Sequence, residues 1–320
     1  MKGKERLLCA LRGGQADCVP VLPQIWLDHA ARISGIDPLD IIAHPAQGFR
    51  AMLLTARYYG LDGFRTFMIY PPRSVVRQAG VVYQIDPATG MRIGIVDMDG
   101  GWQVIPFARP RPVEELAEVA SVTVPTAQSY WDDGRGPALA QTVREAGDDF
   151  AVVGRPIGFT INWMIDQRGG EQALIDLYDR PQLVHALIEK GLQVALEQTI
   201  AMRRAGVEVF YMGDASASAS VISPRHFREF VYPYYQTYAK EVHRMGGVTY
   251  VHVCGNATPL ADMLVDAGID CLDTMDPLGG VDPDPAAGHP GRGRSRSARL
   301  YWQSRPHWRL RPGRRLHGAA

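Results

Sequence analysis

The chain has no apolar run of the ~18 residues that a bilayer-spanning helix needs, so no membrane span is expected. Cysteine is scarce. Cys9, Cys18, Cys254 and Cys271 are the only four, with no CxxC pair and no spacing typical of a disulfide framework. That excludes a disulfide-stapled secreted domain. The opening MKGKERLLCALRGG reads as a short amphipathic helix without a signal-peptide apolar core, and the expected compartment is the reducing cytoplasm. Net charge is lacking too: 34 basic and 34 acidic residues cancel, so nothing overall calls for a nucleic-acid partner.

The cancellation is uneven along the chain. Residues 1–284 hold 25 basic and 34 acidic residues, a net −9, whereas 285–320 hold nine arginines and no Asp, Glu or Lys. The same final segment lacks Val, Ile, Phe, Met and Thr, so it cannot supply a strand buried on both faces. Two regions follow: a globular domain over 1–284, and a basic, arginine-rich tail over 285–320 expected to be disordered. The genetic code allows a further reading. Codons for Tyr301-Trp302-Gln303-Ser304-Arg305-Pro306-His307-Trp308, read one nucleotide later, can encode Ile-Gly-Asn-x-Asp-Pro-Ile-Gly, and we expect the reading frame to be lost soon after Pro283.

What is present is alternation. Short β-branched runs and longer helical patterns succeed one another, the mark of βαβ units around a parallel sheet. Strands are expected at 19–26, 63–69, 150–158, 207–214, 249–255 and 271–276, and helices at 45–59, 136–146, 181–205, 224–245 and 257–267. With 46% hydrophobic residues the chain can fill one large core, and the fold class expected is α/β, a (β/α)8 TIM barrel. Six strands precede residue 277 where a closed barrel has eight, so the barrel is expected to be incomplete after strand six. Between strands two and three, VVRQAGVVYQIDPATGMRIGIV alternates around the turn Asp86-Pro87-Ala88-Thr89-Gly90 and predicts an antiparallel β-hairpin insertion over about 75–105, as a lid or edge decoration.

TYVHVCGNATP, residues 249–259, ends its apolar run on His252 and Cys254. Residues two apart on a strand share a face, so these side chains point together while Val251 and Val253 face the helices. At the C-terminal rim, where barrel chemistry is done, the pair reads either as a strand end packed with small polar groups or as half of a metal site. Imidazole and thiolate suit zinc at roughly 2.0 and 2.3 Å. Asp214 closes the neighbouring strand and is the candidate third carboxylate, as ligand or as hydrogen-bond support; its plainer role is to cap the serine-rich turn at 216–220. Asp276, at the end of strand six, is the next carboxylate. Candidate pocket-lining residues are Trp26, Asp28 and His29 after strand one, Asn162 and Trp163 after strand three, and Asp276 itself.

Several stretches in the right order resemble the uroporphyrinogen decarboxylase superfamily: KERLLCALRGGQADCVPV at 4–21, GRPIGFT at 154–160, GDASASASVISPRHFREFVYPYYQ at 213–236 and VHVCGN at 251–256. The likeness runs from about Lys4 to Pro283, and the shifted-frame string at 301–308 is similar to a Gly-Asn-x-Asp-Pro stretch of the family. The decarboxylase branch relies on an Arg-Gln-Ala-Gly-Arg-Tyr segment after the first strand and an Asp after the second. Here those places read Trp26-Leu27-Asp28-His29-Ala30-Ala31-Arg32 and FRTFMIYPP. The resemblance therefore points to the cobamide-dependent methyltransferase branch, in which His-x-Cys and a much later cysteine bind zinc and the zinc holds an acceptor thiol as thiolate. It implies zinc on His252 and Cys254. The late cysteine has no counterpart here: with an intact frame a carboxylate, Asp214 first and Asp276 next, is the candidate third ligand, and with a broken frame that ligand was lost with it. It further implies a methyl group supplied by a methylcorrinoid on a separate corrinoid protein, because no segment looks like a corrinoid-binding domain, and a small thiol as acceptor. A metal-free decarboxylase of porphyrin biosynthesis and an inactive truncated barrel are the alternatives.

Overall fold

Proline makes the first departure from the expected strand order. In the computed structural model, which describes residues 1–66, 71–99, 102–108 and 111–273, residues 19–26 form no strand. Pro20 and Pro23 lack the N–H that a ladder requires. The segment is tied down through Val21, whose N–H donates to the Asp62 carboxylate (2.7 Å) and whose carbonyl accepts from the Asp62 N–H (3.0 Å).

Helices α1 (Gly3–Leu11), α2 (Leu27–Ser34), α3 (Pro38–Ala43) and α4 (Pro45–Tyr59) lead to β1 (Gly63–Arg65). Four strands follow, β2 (Ser74–Gln78), β3 (Val81–Ile85), β4 (Arg92–Asp97) and β5 (Gln103–Pro106). Then come α5 (Ser129–Asp132), α6 (Arg135–Ala146), β6 (Ala151–Gly154), α7 (Ile161–Arg168), α8 (Gly170–Asp179), α9 (Pro181–Arg204) and β7 (Val209–Gly213). The described part closes with α10 (Pro224–Phe230), α11 (Tyr232–Arg244), β8 (Val248–His252), α12 (Ala261–Asp266) and β9 (Cys271–Asp273).

Five strands pair in parallel in the order β1-β6-β7-β8-β9, so the described residues form an open α/β sheet with helices rather than a closed barrel. Asp276 and the tail 285–320 lie outside the described residues. The inserted segment is larger than one hairpin: β2, β3, β4 and β5 pair antiparallel in sequence order, with an irregularity in register at Gln84 and Ile85. Val82 and Val96 on its inner face are buried, and Val75 and Val104 pack against the same core.

Strand alternation divides the apolar residues between two clusters. Val153, Val209, Tyr211, Val248, Tyr250 and Cys271 point to one side, where Leu7 and Leu11 of α1 join them. Phe210, Met212, Val251 and Leu272 point to the other and pack with the helices. The expected helix at 224–245 is interrupted at Val231, because Pro233 in the first turn of α11 cannot donate to a preceding carbonyl. The expected helix at 257–267 begins as a 3-10 turn over Thr258–Leu260, with Pro259 inside it.

Candidate functional site

The inner row of each strand, followed to its C-terminal end, leads to the site. Two residues beyond buried Tyr250 on β8 stands His252; two beyond buried Cys271 on β9 stands Asp273; and β1 ends on Arg65. β8 and β9 pair so that His252 lies directly opposite Asp273. The chain then turns, and the Cys254 N–H donates to the Ala215 carbonyl (2.9 Å), which fixes the backbone that carries the thiol. The His252 Nε2 and the Cys254 Sγ come within 3.2 Å of each other.

The other face of the imidazole meets a carboxylate. His252 Nδ1 lies 3.5 Å from Asp273 Oδ2, and that oxygen also accepts from Arg65 Nη2 (2.8 Å) and from the Tyr250 hydroxyl (2.9 Å). Arg65 Nη2 donates in addition to the Tyr250 oxygen (2.6 Å), and Nη1 donates to Gln24 Oε1 (3.1 Å). The guanidinium stands 3.9 Å above the Tyr211 ring, a stacked cation–π contact on the inner face of the sheet. Arg65 is only 4% exposed, so its charge needs the partner that Asp273 provides.

Charge and burial set the protonation states. Burial pushes the Asp273 carboxyl up, but the hydrogen bond to His252 and the Arg65 charge overcome it and hold the group well below the usual carboxylate range. Burial, helped by the negative charge of Asp273, pushes the Cys254 thiol up. Burial raises Tyr211 against the lowering influence of Arg65 and Arg155, so its phenol stays protonated at neutral pH. Cys271 is buried at the opening of β9, its thiol pushed up to about 12 by that burial, and it takes no part in the strand-end cluster.

The structure places the Asp214 carboxylate at the start of α7. It is fully buried, and its Oδ2 accepts from the Thr160 N–H (2.9 Å) and the Thr160 hydroxyl (2.5 Å), while Oδ1 accepts from the Asn162 N–H (2.9 Å). The carboxylate thus serves the N-terminal amides of α7, a favourable place for negative charge, and not the serine-rich turn that the sequence suggested. The crossing is close: a Cβ on Gly158 would collide with the Gly213 carbonyl, so the loop before α7 passes over the end of β7 only because that residue is glycine.

The remaining candidates separate. Asn162 stitches the same crossing, its Oδ1 accepting from the Ser216 N–H (2.9 Å). Trp163 lays its ring against Gly191 of α9. Trp26 immediately precedes α2 and is exposed, and Asp28 is half-buried in the first turn of that helix. His29 is exposed, stacks on Tyr59 and bonds its hydroxyl through Nε2 (3.0 Å), at the end of the helix that precedes β1 and not at the strand ends. Sequence reasoning missed Arg65, Tyr211, Tyr250 and Asp273. The signal was available, since continuing the alternation from Cys271 leads to Asp273.

Among the described residues, no group of three or more His, Cys, Asp or Glu is placed to hold a metal ion. The pair His252 and Cys254 nevertheless fits two corners of a zinc site. Tetrahedral zinc at ordinary bond lengths sets its nitrogen and sulfur ligands about 3.5 Å apart, and the observed separation is 3.2 Å. A carboxylate behind the distal nitrogen completes the arrangement common for zinc-bound histidine. None of the described helices is long and apolar enough to cross a membrane.

Comparison with known proteins agrees with this architecture. The uroporphyrinogen decarboxylase (URO-D) family profile matches residues 2–279, and the chain belongs to that family. Two of its relatives are methyltransferases. It is 30% identical over 280 residues to the methylcobamide:CoM methyltransferase MtaA of Methanosarcina barkeri, covering 86% of this chain and 76% of that protein. It is 31% identical over 92 residues to a methylated-thiol–coenzyme M methyltransferase of Methanosarcina mazei, a match spanning 29% of this chain and only 24% of that relative's length. A solved methyltransferase from Methanosarcina mazei shares the fold, with a TM-score of 0.64 and 20% identity over 87% of this chain and 77% of its own.

Proposed function

We propose that this chain is a methyltransferase that moves a methyl group from a corrinoid, carried by a separate protein, to a small thiol, with zinc held at His252 and Cys254. The observation that carries the reading is the 3.2 Å approach of the His252 Nε2 to the Cys254 Sγ at the end of β8. The methylcobamide:CoM methyltransferase among its relatives supports the reaction class and the thiol acceptor. Bound zinc would supply a Lewis acid that lowers the pKa of the acceptor thiol and presents it as thiolate near neutral pH. His252 offers Nε2 and Cys254 its sulfur as ligands. Because burial and Asp273 push the Cys254 thiol up, its thiolate form calls for a cation beside it. Arg65 neutralises Asp273 beneath the pair, so the carboxylate orients His252 without leaving an uncompensated charge in the interior.

The test is metal content of the purified protein, wild type against Cys254→Ser, together with methyl transfer from methylcobalamin to 2-mercaptoethanesulfonate. The expected result is bound zinc and thiol methylation in the wild type and loss of most of both in the variant. Unchanged zinc in Cys254→Ser would remove Cys254 as a ligand. Absence of both zinc and methyl transfer in the wild type would overturn the reading and leave the metal-free decarboxylase and the inactive barrel.

A further inference from the structure

We propose that Asp273, clamped by Arg65 and Tyr250, is a positioning residue that holds the His252 ring with its Nδ1–H directed at the carboxylate and leaves Nε2 as the nitrogen shared with Cys254. The functional consequence rests on the zinc reading above, but the tautomer is a property of the chain itself.

Five observations converge on it. The Asp273 Oδ2 already accepts from two donors of fixed geometry, Arg65 Nη2 and the Tyr250 hydroxyl, so the carboxylate is not free to swing with the histidine. Arg65 is itself held from several sides, by Gln24, by the Tyr250 oxygen and by the face of Tyr211. The Asp273 oxygen that faces His252 Nδ1 already accepts from those two donors, so a hydrogen bond across this contact is one that Nδ1–H donates. A neutral imidazole protonated at Nδ1 has its lone pair at Nε2, on the side where Cys254 Sγ approaches. The register supports the same assignment, because the pairing of β8 with β9 sets His252 opposite Asp273, and the two residues keep their relation as long as the ladder does.

The order of dependence is therefore Arg65 and Tyr250 to Asp273, Asp273 to His252, and His252 to whatever Nε2 binds. Outer partners of this kind typically govern metal affinity by 10–100-fold.

The first measurement reads the wild type and uses a variant only for assignment. Two-bond 1H–15N correlation spectra of metal-free, 15N-histidine-labelled protein, with the His252 signals identified by their loss in His252→Gln, should show the Nδ1–H form of the neutral ring. An Nε2–H form would overturn the proposal. The second measurement separates positioning from simple structural support. Asp273→Ala alone strands a buried arginine and risks unfolding, so the informative protein is the double variant Arg65→Met/Asp273→Leu, which replaces a buried ion pair by apolar groups that such sites often tolerate. It should fold, release His252 to a mixture of tautomers, and bind zinc 10–100-fold more weakly in competition with a chromophoric chelator. Asp273→Glu should restore part of that affinity. Unchanged tautomer and unchanged zinc affinity in the folded double variant would overturn the assignment. Failure of the wild type to bind zinc would sink the functional proposal, while the tautomer would still decide this one.

Discussion

Asp214 and His252 end adjacent strands and share a backbone hydrogen bond, Asp214 N–H to the His252 carbonyl (3.0 Å), yet their side chains serve different ends. The carboxylate of Asp214 is saturated by amides of the α7 terminus, whereas the imidazole of His252 stands between a thiol and a carboxylate. Asp214→Asn should therefore act on stability and leave the metal alone. An amide that must face N–H donors leaves at least one of them poorly paired, at a cost of about 1–3 kcal/mol, while zinc content should match the wild type. Zinc lost in parallel with Cys254→Ser would reinstate Asp214 as a ligand. The contrast also shows how far the site could be read in advance. The pairing of His252 with Cys254 was legible because strand alternation is a local rule. Asp214's partners lie 52 and 54 residues away, and no local rule carries that far. Asp273 is the intermediate case, legible by parity from Cys271 but hidden by an expected strand that ran on to Asp276.

Among elements, α7 is anchored at both ends. Its first turn is capped by Asp214, and its last residue, Arg168, forks onto Asp176 of α8 (2.5 and 3.3 Å) while donating to the Val113 carbonyl (2.6 Å). Burial pushes the Asp176 carboxyl up, but hydrogen bonds from Arg168 and Gln172 and the charges of Arg168 and Arg180 hold it below its ordinary value. With the folded value below the unfolded one, the unfolded chain binds more protons in between, so this contribution is complete above about pH 4 and is lost as pH falls through the folded value. Asp176→Asn should cost about 3–5 kcal/mol at neutral pH, the usual result of breaking a buried pair. The gap between wild-type and variant urea midpoints should narrow as the pH is taken below about 4. A gap that stays constant with pH would mean the pair contributes through packing, not charge. Element boundaries followed the same division as the site. The α4 helix was legible from end to end, with Pro45 at its first position and Gly60 in a left-handed cap. Residues 19–26 were misread because an apolar β-branched run outweighed two prolines whose effect is on the ladder rather than on the pattern.

For the whole molecule, the described sheet leaves β1 and β9 as its outer strands, and parallel sheets of this kind are stable when both faces are covered and the edges are paired. The family match stops at residue 279, just ahead of the region where acidic residues end and arginine takes over. Residues 285–320 lack nearly every residue type from which a buried parallel strand is built, yet their codons can encode Ile-Gly-Asn-x-Asp-Pro-Ile-Gly one nucleotide later. If the frame is lost after Pro283, a gene corrected by a single nucleotide at that point should yield a chain that buries more apolar surface. Each kcal/mol so gained should raise the melting midpoint by roughly 2 °C for a domain of this size. The corrected chain should also show less self-association in size-exclusion chromatography, because an open parallel edge is a template for pairing with another copy, and should bind zinc more tightly if the restored segment brings a third donor to His252 and Cys254. An unchanged midpoint with unchanged association would mean that the second frame holds no missing strands, and that the arginine-rich tail is the chain's own.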